Sequence, residues 1–543
     1  MTEQPLLMDN LDNILLSIGE FGKYQVWVLM FICIALILNT GSHISYVFTA
    51  FTVINYRCKI PECDTSPPDY DAGFLTNAVP FKNKLPSKCE TFLYNFSNVE
   101  PPIICTPDVF DKSGTRKCND FVYETDVWSI LQEYDLQCEN NEWKLTMVGT
   151  VNSVGQFVGL FLGGLISDRF GRKFVLIWGM IFCAVFGLLR TCMTSYEWFL
   201  VFEFLDAVFG ASTYICGFVL GVELVGPKKR VLTGILTSSS YALGEIFTAA
   251  SAWAVKSWKP IIYILYSPSF LLIFYIWLVP ESIRWLLSKG RTEEAKAILK
   301  RAAKFNNREL SESTLEKLTI STSKEEEEKG ALLQACKSSI LCIRLIVCAF
   351  CWIVCAFLFY GLTLNSVSLV AGNPYLDFML TALIEIPAYV CSHFMLDMYG
   401  RRKPLFASFF VTGLACASFI FVPADSHAGT LAVFLIGKFG ATLAFTNLYV
   451  HTSEMFPTKT RHTFMGCCST LGRLGSMLAP QTPLLAQLWT PLPLVSFAVM
   501  AALACMLSLL FPETANIKLP DTIEEAENLS KLPKTVNQEK HNA

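Results

Sequence analysis

Long apolar stretches with few charges, separated by short basic or polar segments, run through this sequence. A helix needs about twenty mostly apolar residues to cross the hydrocarbon core of a bilayer, where its backbone must satisfy its own hydrogen bonds. Twelve stretches meet this need, at residues 26–50, 145–167, 174–193, 197–224, 231–255, 260–279, 341–364, 377–396, 405–422, 429–451, 463–487 and 492–511. We therefore predict an all-α membrane protein with twelve transmembrane helices.

The composition agrees with a membrane protein. Of the 543 residues, 52% are hydrophobic and only 16% are charged, and the mean hydropathy is +0.43. A soluble chain of this length would carry more charge. The net charge of −3 provides no overall basic character of the kind that attracts nucleic acid. Polar residues precede the first apolar stretch, so we expect span 1 to direct insertion without a cleaved signal peptide.

Short basic clusters predict the orientation of the chain. They follow spans 2, 4, 8 and 10, and they consist of Arg169, Arg172 and Lys173, of Lys228, Lys229 and Arg230, of Arg401, Arg402 and Lys403, and of Lys459 and Arg461. With twelve spans all four clusters fall on one side, which the excess of Lys and Arg marks as the cytoplasm. We expect a plasma-membrane protein whose N-terminus (1–25), central loop (280–340) and C-terminal tail (512–543) are cytoplasmic.

The first long loop, residues 52–144, is predicted to face outside. It contains the glycosylation sequon Asn95-Phe96-Ser97. Six cysteines within one exoplasmic segment are typical of a disulfide framework, although the sequence leaves their pairing open. These cysteines are Cys58, Cys63, Cys89, Cys105, Cys118 and Cys138. We therefore expect disulfide bonds in this loop and a glycan on Asn95.

Three short motifs recur with a nearly constant offset. The segment that starts at Asp168 recurs at Asp397, the pair Glu223 and Arg230 recurs as Glu454 and Arg461, and Pro280-Glu281-Ser282 recurs as Pro512-Glu513-Thr514. Such an internal repeat predicts two parallel six-helix halves, residues 26–279 and 341–511, as in the major facilitator fold.

The repeated loops also predict a cytoplasmic gate. Their glycines permit tight turns, and their arginines can pair with acids at the ends of neighbouring helices. An outward-open state would keep such pairs closed, and an inward-open state would break them. The alternative is that these loops only fix the topology. The candidate gating residues are Asp168, Arg169, Gly171, Arg172, Glu223, Arg230, Asp397, Gly400, Arg401, Glu454 and Arg461.

Several further segments, spread over nearly the whole chain, carry a family resemblance. They are Ile18–Gln25, Cys118–Tyr123, Glu133–Cys138, Pro280–Leu287, Glu385–Tyr389 and Glu454–Thr458. Together with the cysteine-bearing loop, they make the chain similar to the organic cation, anion and zwitterion transporters of the major facilitator superfamily. It looks closest to invertebrate organic cation transporter-like, carnitine-transporter-like members. This resemblance implies alternating access around one central site between the two halves.

Ionisable residues inside spans are costly and therefore informative. Arg473 lies in the middle of span 11, and a guanidinium can hold a carboxylate through two parallel hydrogen bonds. In the resembled family, cation-specialised members carry an acid at this position, whereas anion and carnitine-type members carry Arg. We expect Arg473 to contact a substrate carboxylate. The alternative is a permanent ion pair with an acid of the protein.

Two acids are candidates for the other end of the substrate. Glu385 in span 8 lies two residues before Pro387, which breaks local helix bonding as binding sites often do. It either attracts an ammonium group or is the fixed partner of Arg473. Glu245 in span 5 binds a cation or a proton, or has a packing role. Aromatic faces attract amines, and the candidate aromatic residues, which otherwise only pack, are Tyr214, Phe218, Tyr241, Phe359, Tyr360, Phe445 and Tyr449.

These observations predict a transporter of small organic cations or zwitterions, carnitine-like or amino-acid-like amines, that works by alternating access. An organic anion transporter and a non-transporting membrane sensor are the alternatives. The sequence contains no nucleotide-binding loop, metal cluster or catalytic triad, so we expect neither an enzyme nor a cofactor. The expected partners are the lipid bilayer, the amine or zwitterion and a coupling Na⁺ or H⁺, with no nucleic acid.

Overall fold

The computed structural model describes residues 4–51, 55–82, 85–94, 105–138, 141–311, 315, 337–369, 372–423, 426–458, 460–515, 517, 519–520 and 522–529. In this part of the chain, a long helical segment lies on each predicted span. The first six are α1 (Lys23–Thr49), α2 (Glu142–Phe170), α3 (Arg172–Arg190), α4 (Tyr196–Leu224), α5 (Arg230–Val255) and α6 (Trp258–Leu278). The last six are α7 (Ser339–Leu369), α8 (Pro374–Tyr399), α9 (Arg402–Phe421), α10 (His427–Met455), α11 (Arg461–Leu478, continued by Ala479–Gln481 and Thr482–Leu488) and α12 (Leu492–Ser508).

Nine of these helices, within the described residues, are long and apolar enough to cross a membrane. The other three, α5, α11 and α12, are more polar or shorter. Large apolar side chains on the outer faces of the bundle stay exposed, among them Phe161, Leu271, Ile346, Leu414 and Met506. Apolar surface on this scale needs lipid around it. The prediction of an all-α membrane protein is therefore confirmed.

The two halves repeat the same helix packing. In the N-terminal half (α1–α6), α1 packs on α5, α2 and α3 pack on α4, and α3 packs on α6. In the C-terminal half (α7–α12), α7 packs on α11, α8 and α9 pack on α10, and α9 packs on α12. The internal sequence repeat thus corresponds to two similarly built helix bundles.

Helix α8 is interrupted next to a candidate site residue. It consists of Pro374–Leu383 and Glu385–Tyr399, with a break at Ile384. Pro387 explains this break, because it cannot donate a backbone hydrogen bond to the carbonyl four residues earlier. The break places Glu385 at the start of the second segment, where the backbone departs from regular helix geometry.

The loop between α1 and α2 contains three two-stranded antiparallel sheets. They pair β1 (Tyr56–Cys58) with β6 (Phe121–Tyr123), β2 (Phe81–Lys82) with β3 (Leu85–Pro86), and β4 (Glu90–Tyr94) with β5 (Phe110–Lys117). Disulfides join Cys58 to Cys118, Cys63 to Cys105 and Cys89 to Cys138. The predicted disulfide framework is confirmed, and its pairing is now assigned. Asn95 lies outside the described residues, so its glycosylation stays a prediction.

Helices at the opposite end of the bundle cover the base of the N-terminal half. They are Gln4–Ser17, Ile283–Ser288 and Thr292–Phe305. Asp12 on the first of them pairs with Arg230 at 2.6 Å and with Arg284 at 2.8 Å between guanidinium nitrogen and carboxylate oxygen. Arg230, a candidate gating residue, therefore anchors the N-terminal helix.

Candidate functional site

The repeated loops have matching geometry at the base of each half. Gly171 and Gly400 have positive φ angles of +104° and +88°, a region that glycine enters without steric cost. The Glu281 carboxylate accepts a hydrogen bond from the Arg172 backbone N–H at 3.0 Å. Glu513 accepts the corresponding bond from the Arg401 N–H at 2.8 Å. Neither glutamate was among the gating residues predicted from the sequence.

The arginine of each loop has a different acidic partner. Arg401 donates to both oxygens of Glu454, with 3.0 Å from Nε to Oε2. Arg172 instead contacts Asp168 at 3.2 Å, and Glu223 accepts a hydrogen bond from the Ser282 hydroxyl. The expected pairing with the helix-end acid is therefore present in the second half and wrong in the first.

The remaining gating candidates lie around the same loops. Arg169 stacks on the Phe170 ring at 5.5 Å, Asp397 lies 3.7 Å from His393, and Arg461 donates to Thr458 at 3.4 Å. Among the described residues, each of these contacts, like those of Arg172 and Arg401, joins two residues of the same half. The loops thus stabilise each half from within, and a gating role for them stays a proposal.

The halves meet at the other end, next to the disulfide-bonded loop. One face of α2 hydrogen-bonds to α11: Thr146 contacts Gln481 at 3.0 Å, and Ser153 donates to the Ser476 carbonyl at 3.0 Å. Aromatic stacking of Trp253 on Tyr375 adds a contact between α5 and α8. The structure is therefore closed at the end that carries this loop. The regular spacing of small polar residues along α2 was a signal for this interface that the sequence prediction missed.

A buried ion pair lies in the centre of the C-terminal half. Lys438 Nζ of α10 is 2.8 Å from Glu385 Oε1 of α8, and neither side chain is exposed. The same ammonium lies over the Phe359 ring at 3.4 Å and donates to Thr363 at 2.6 Å. The hypothesis that Glu385 is the fixed partner of Arg473 is therefore wrong. Lys438, the single Lys or Arg of span 10, was visible in the sequence and was overlooked.

Glu245 brings a second acid to this ion pair from the opposite half. Its side chain on α5 is buried, and its two carboxylate oxygens accept no hydrogen bond from the described residues. It interacts electrostatically with Glu385 and Lys438. Two carboxyl groups and one ammonium are therefore packed across the contact between the halves, and the single lysine can compensate the charge of only one of the two acids.

Arg473 is the complementary free cation. Its Nη1 donates to Gln156 Oε1 at 3.2 Å and to the Tyr360 hydroxyl at 3.4 Å. Both partners are neutral, and the described residues place no acid in an ion pair with this half-buried side chain. Within the described residues, no acid therefore compensates the charge of this guanidinium.

Aromatic rings connect these charged groups into one wall. Tyr241 contacts Tyr214 at 5.6 Å and Phe359 at 6.5 Å between ring centroids, which joins the two halves. Phe359 also contacts Tyr360 and Phe445. Trp352, which the sequence prediction omitted, links Phe445 to Tyr449. Phe218 lies on α4, one turn beyond Tyr214.

The N-terminal half has a second buried ionic cluster. Arg190 on α3 forms an ion pair with Glu203 and lies 3.6 Å from Asp206, both on α4. Tyr266 and Cys183 also donate hydrogen bonds to Asp206. In the described residues no group of His, Cys, Asp or Glu has the arrangement of a metal site. The central region therefore combines two buried acids with one lysine, a guanidinium that has no acidic partner among the described residues, and an aromatic wall.

Comparisons with known proteins agree with this arrangement. Residues 113–526 match the sugar (and other) transporter family. The chain is 30% identical to mouse solute carrier family 22 member 3 over 535 residues, 96% of either chain. It is 29% identical to an organic cation transporter protein of Drosophila melanogaster over 534 residues, 96% of this chain and 95% of the relative.

Solved structures share the fold at low sequence identity. The xylose transporter XylE from E. coli, in a partially occluded inward-open conformation, superposes with a TM-score of 0.59 and 13% identity. The alignment covers 90% of this chain and 98% of XylE. The predicted major facilitator fold is thereby confirmed, while the family match and the curated relatives identify the chain as a transporter and not an enzyme. Since the family match and the 30% identical relatives cover most of its length, the chain belongs to the sugar (and other) transporter family and, within it, to the solute carrier family 22 transporters.

Proposed function

We propose that this transporter carries small amine-bearing solutes that also have a carboxylate across the plasma membrane. The observation that carries the proposal is the presence of both an excess buried acid and a free guanidinium at the contact between the halves. The ammonium group binds at Glu245 and Glu385, and the carboxylate binds Arg473. The tyrosine and phenylalanine rings between them contact the alkyl or quaternary ammonium part of the solute.

The acidic cluster also gives a reason for alternating access to depend on the solute. Glu245 belongs to the N-terminal half and Glu385 to the C-terminal half, so closure at the disulfide-loop end brings two carboxylates together. Lys438 compensates only one of them. A bound ammonium supplies the missing positive charge, because an uncompensated buried carboxylate is costly. When no ammonium is bound, a proton or Na⁺ supplies this positive charge. Either ion is therefore a candidate for cotransport or exchange with the solute.

The proposal also gives the orientation of the chain in the membrane. The disulfide-bonded loop faces the outside, where cysteines are oxidised, and the basic loops face the cytoplasm together with both termini. The structure, closed at the loop end, then corresponds to an inward-facing state. The name of the Drosophila relative supports an organic cation as the substrate, and Arg473 supports the additional carboxylate.

Matched solutes test the substrate class. Initial uptake rates are compared for a quaternary amine with a carboxylate and for the same amine without it, each normalised to surface protein. Arg473→Ala is expected to reduce uptake of the carboxylated solute strongly, because it removes the partner of a buried charge. The expected increase in the activation free energy of transport is about 2–5 kcal/mol. Uptake of the carboxylate-free amine should change much less. A proportional loss of both rates would contradict carboxylate recognition by Arg473.

Two further measurements distinguish the alternatives. Uptake into sealed vesicles that contain the purified protein separates a transporter from a sensor that binds without transport. Glu245→Gln is expected to weaken uptake of both amines, because it removes the excess negative charge. An organic anion transporter would instead keep or increase its uptake of a plain carboxylate in this variant.

A further inference from the structure

A continuous row of buried polar groups leads from the N-terminal ionic cluster to Arg473. Asn152 Nδ2 donates to Glu203 Oε1 at 2.8 Å, and Gln156 Nε2 donates to Asn152 Oδ1 at 2.7 Å. Gln156 Oε1 then accepts from Arg473 Nη1 at 3.2 Å. The row begins at Arg190, the ion-pair partner of Glu203.

The direction of these hydrogen bonds follows from the charge of Glu203. A carboxylate paired with Arg190 can only accept, so Asn152 must turn its amide nitrogen towards Glu203. Its oxygen is then left to accept from Gln156, and the Gln156 oxygen points at Arg473. The reverse orientation would place the Gln156 amide N–H groups against the Arg473 guanidinium.

The members of this row are too buried for water to replace them. Glu203 is not exposed, Asn152 is 1% exposed and Gln156 is 7% exposed. A buried amide without its partner is costly, so the three side chains hold one another in a single arrangement. Asn152 and Gln156 are one helical turn apart on α2, and this spacing allows the side-chain contact. The position of the acceptor at Arg473 is thus fixed by the N-terminal half.

We propose that Gln156 is a specificity-determining positioning residue, which directs Arg473 towards the solute and leaves its charge unneutralised for a carboxylate. This inference rests on the proposed function, in which Arg473 binds that carboxylate. An amide suits the task because it accepts a hydrogen bond without a negative charge. A glutamate here would form a permanent ion pair with Arg473 and displace the solute carboxylate. An apolar side chain would leave the guanidinium without its fixed acceptor.

The contact crosses from one half to the other, which ties recognition to the transport cycle. Gln156 belongs to α2 and Arg473 to α11, and their hydrogen bond continues the interface formed by Thr150 and Ser153. Separation of the halves at the disulfide-loop end breaks this bond. The orientation of Arg473 by Gln156 is therefore a property of the state that is closed at this end.

The test uses the same matched amines and measures the ratio of kcat/KM for the carboxylated solute to that for the carboxylate-free one. Gln156→Glu should lower this ratio at least about tenfold, because the new carboxylate competes with the substrate for Arg473. Gln156→Met has a similar length and no acceptor, and it should lower the ratio by about threefold. Transport of the carboxylate-free amine reports that both variants fold and reach the surface.

Thr150→Val is the matched control on the same face of α2. It removes the hydrogen bond to the Met477 carbonyl and the one that Gln481 donates to the threonine hydroxyl. Neither bond involves Arg473, so both solutes should be affected in the same proportion. A change in the ratio equal to that of Gln156→Glu would show that the whole interface, and not Gln156, sets the preference.

Double variants separate this inference from the proposed function. In an Arg473→Ala background, Gln156→Glu should have no further effect on the ratio, since the group on which it acts is absent. If Arg473→Ala lowers the ratio and Gln156→Glu and Gln156→Met do not, the role of Gln156 is refuted and the proposed function stands. If Arg473→Ala leaves the ratio unchanged, carboxylate recognition by Arg473 fails, and the role of Gln156 fails with it.

Discussion

Lys438 and Glu385 form an ion pair that solvent does not reach, with 2.8 Å between Nζ and Oε1 and no exposure of either side chain. Glu245 lies against this pair from the other half. Removal of either partner leaves a buried charge, at a cost of about 3–5 kcal/mol in such cases. The two removals are not equivalent here, because each leaves a different set of charges.

We expect Lys438→Met to destabilise the protein more than Glu385→Gln. The first change leaves two carboxylates without a cation, whereas the second leaves Lys438 with Glu245. Thermal unfolding of the detergent-purified variants measures the difference. The double variant Lys438→Met/Glu385→Gln should recover part of the stability lost in Lys438→Met. Equal losses in the two single variants would mean that Glu245 is electrostatically independent of the pair.

Glu245→Gln should favour closure at the disulfide-loop end in the absence of solute. The change removes one of the two carboxylates that closure brings together, so the empty carrier no longer needs a cation in order to close. Cysteines introduced at Thr146 and Gln481, which are in contact in the closed structure, report closure through chemical cross-linking. Cross-linking without solute should rise in Glu245→Gln relative to the otherwise identical Glu245 protein. Unchanged cross-linking would contradict a role for the acid pair in closure.

The sequence predicted those parts of the fold that depend on local pattern. Apolar length located the spans, and repeated motifs indicated two similar halves. The strands of the loop were not predicted, because they are short and depend on disulfide pairing more than on alternating apolar residues. The bounds of the helices differ from the predicted spans by only a few residues at most ends.

The site was only partly predictable because its pairing depends on tertiary contacts. The sequence identified Arg473 and Glu245 because ionisable residues are rare inside spans. It identified the residues of the aromatic wall because aromatic faces attract amines. The partner of Glu385 could not be derived from spacing, since Lys438 lies on another helix. The expected pairing of Arg172 with a helix-end acid failed because Asp168, four residues earlier, lies 3.2 Å from its guanidinium, whereas Glu223 bonds to Ser282.

The disulfide pairing predicts how the loop responds to the loss of single cysteines. Cys89–Cys138 ties the loop to the segment just before α2, whereas Cys63–Cys105 lies within the loop. Loss of a native disulfide from a small secreted domain typically costs about 2–5 kcal/mol. We expect Cys63→Ser, Cys105→Ser and the double variant to reduce surface expression equally. Combining Cys63→Ser with Cys89→Ser should reduce surface expression further, because a second disulfide is lost. If the effects of Cys63→Ser and Cys105→Ser on surface expression are additive, these two cysteines are not paired.

The two glutamates at the base of the halves should differ in their response to pH. Burial raises the pKa of Glu281 above its ordinary value in spite of the backbone hydrogen bonds that it accepts. Burial acts in the same direction on Glu513, but hydrogen bonds from the backbone N–H groups of Arg401, Ala515 and Arg402 outweigh it and lower the pKa. Of these two equivalent glutamates, only Glu513 in the C-terminal half therefore has a pKa below its ordinary value.

The sign of the effect on stability is opposite for the two residues. A lowered pKa in the folded protein stabilises it at pH values above the ordinary glutamate pKa of 4.5, and this contribution is lost as the pH falls through the lowered value. A raised pKa does the reverse, so protonation of Glu281 on acidification favours the folded state.

At pH 7, Glu513→Gln should therefore lower the thermal unfolding midpoint more than Glu281→Gln, which is the matched control. The deficit of Glu513→Gln should shrink as the pH falls below 4.5, because the wild-type carboxylate is then protonated as well. Equal deficits for both variants, independent of pH, would show that the glutamates act only by shape and not by charge.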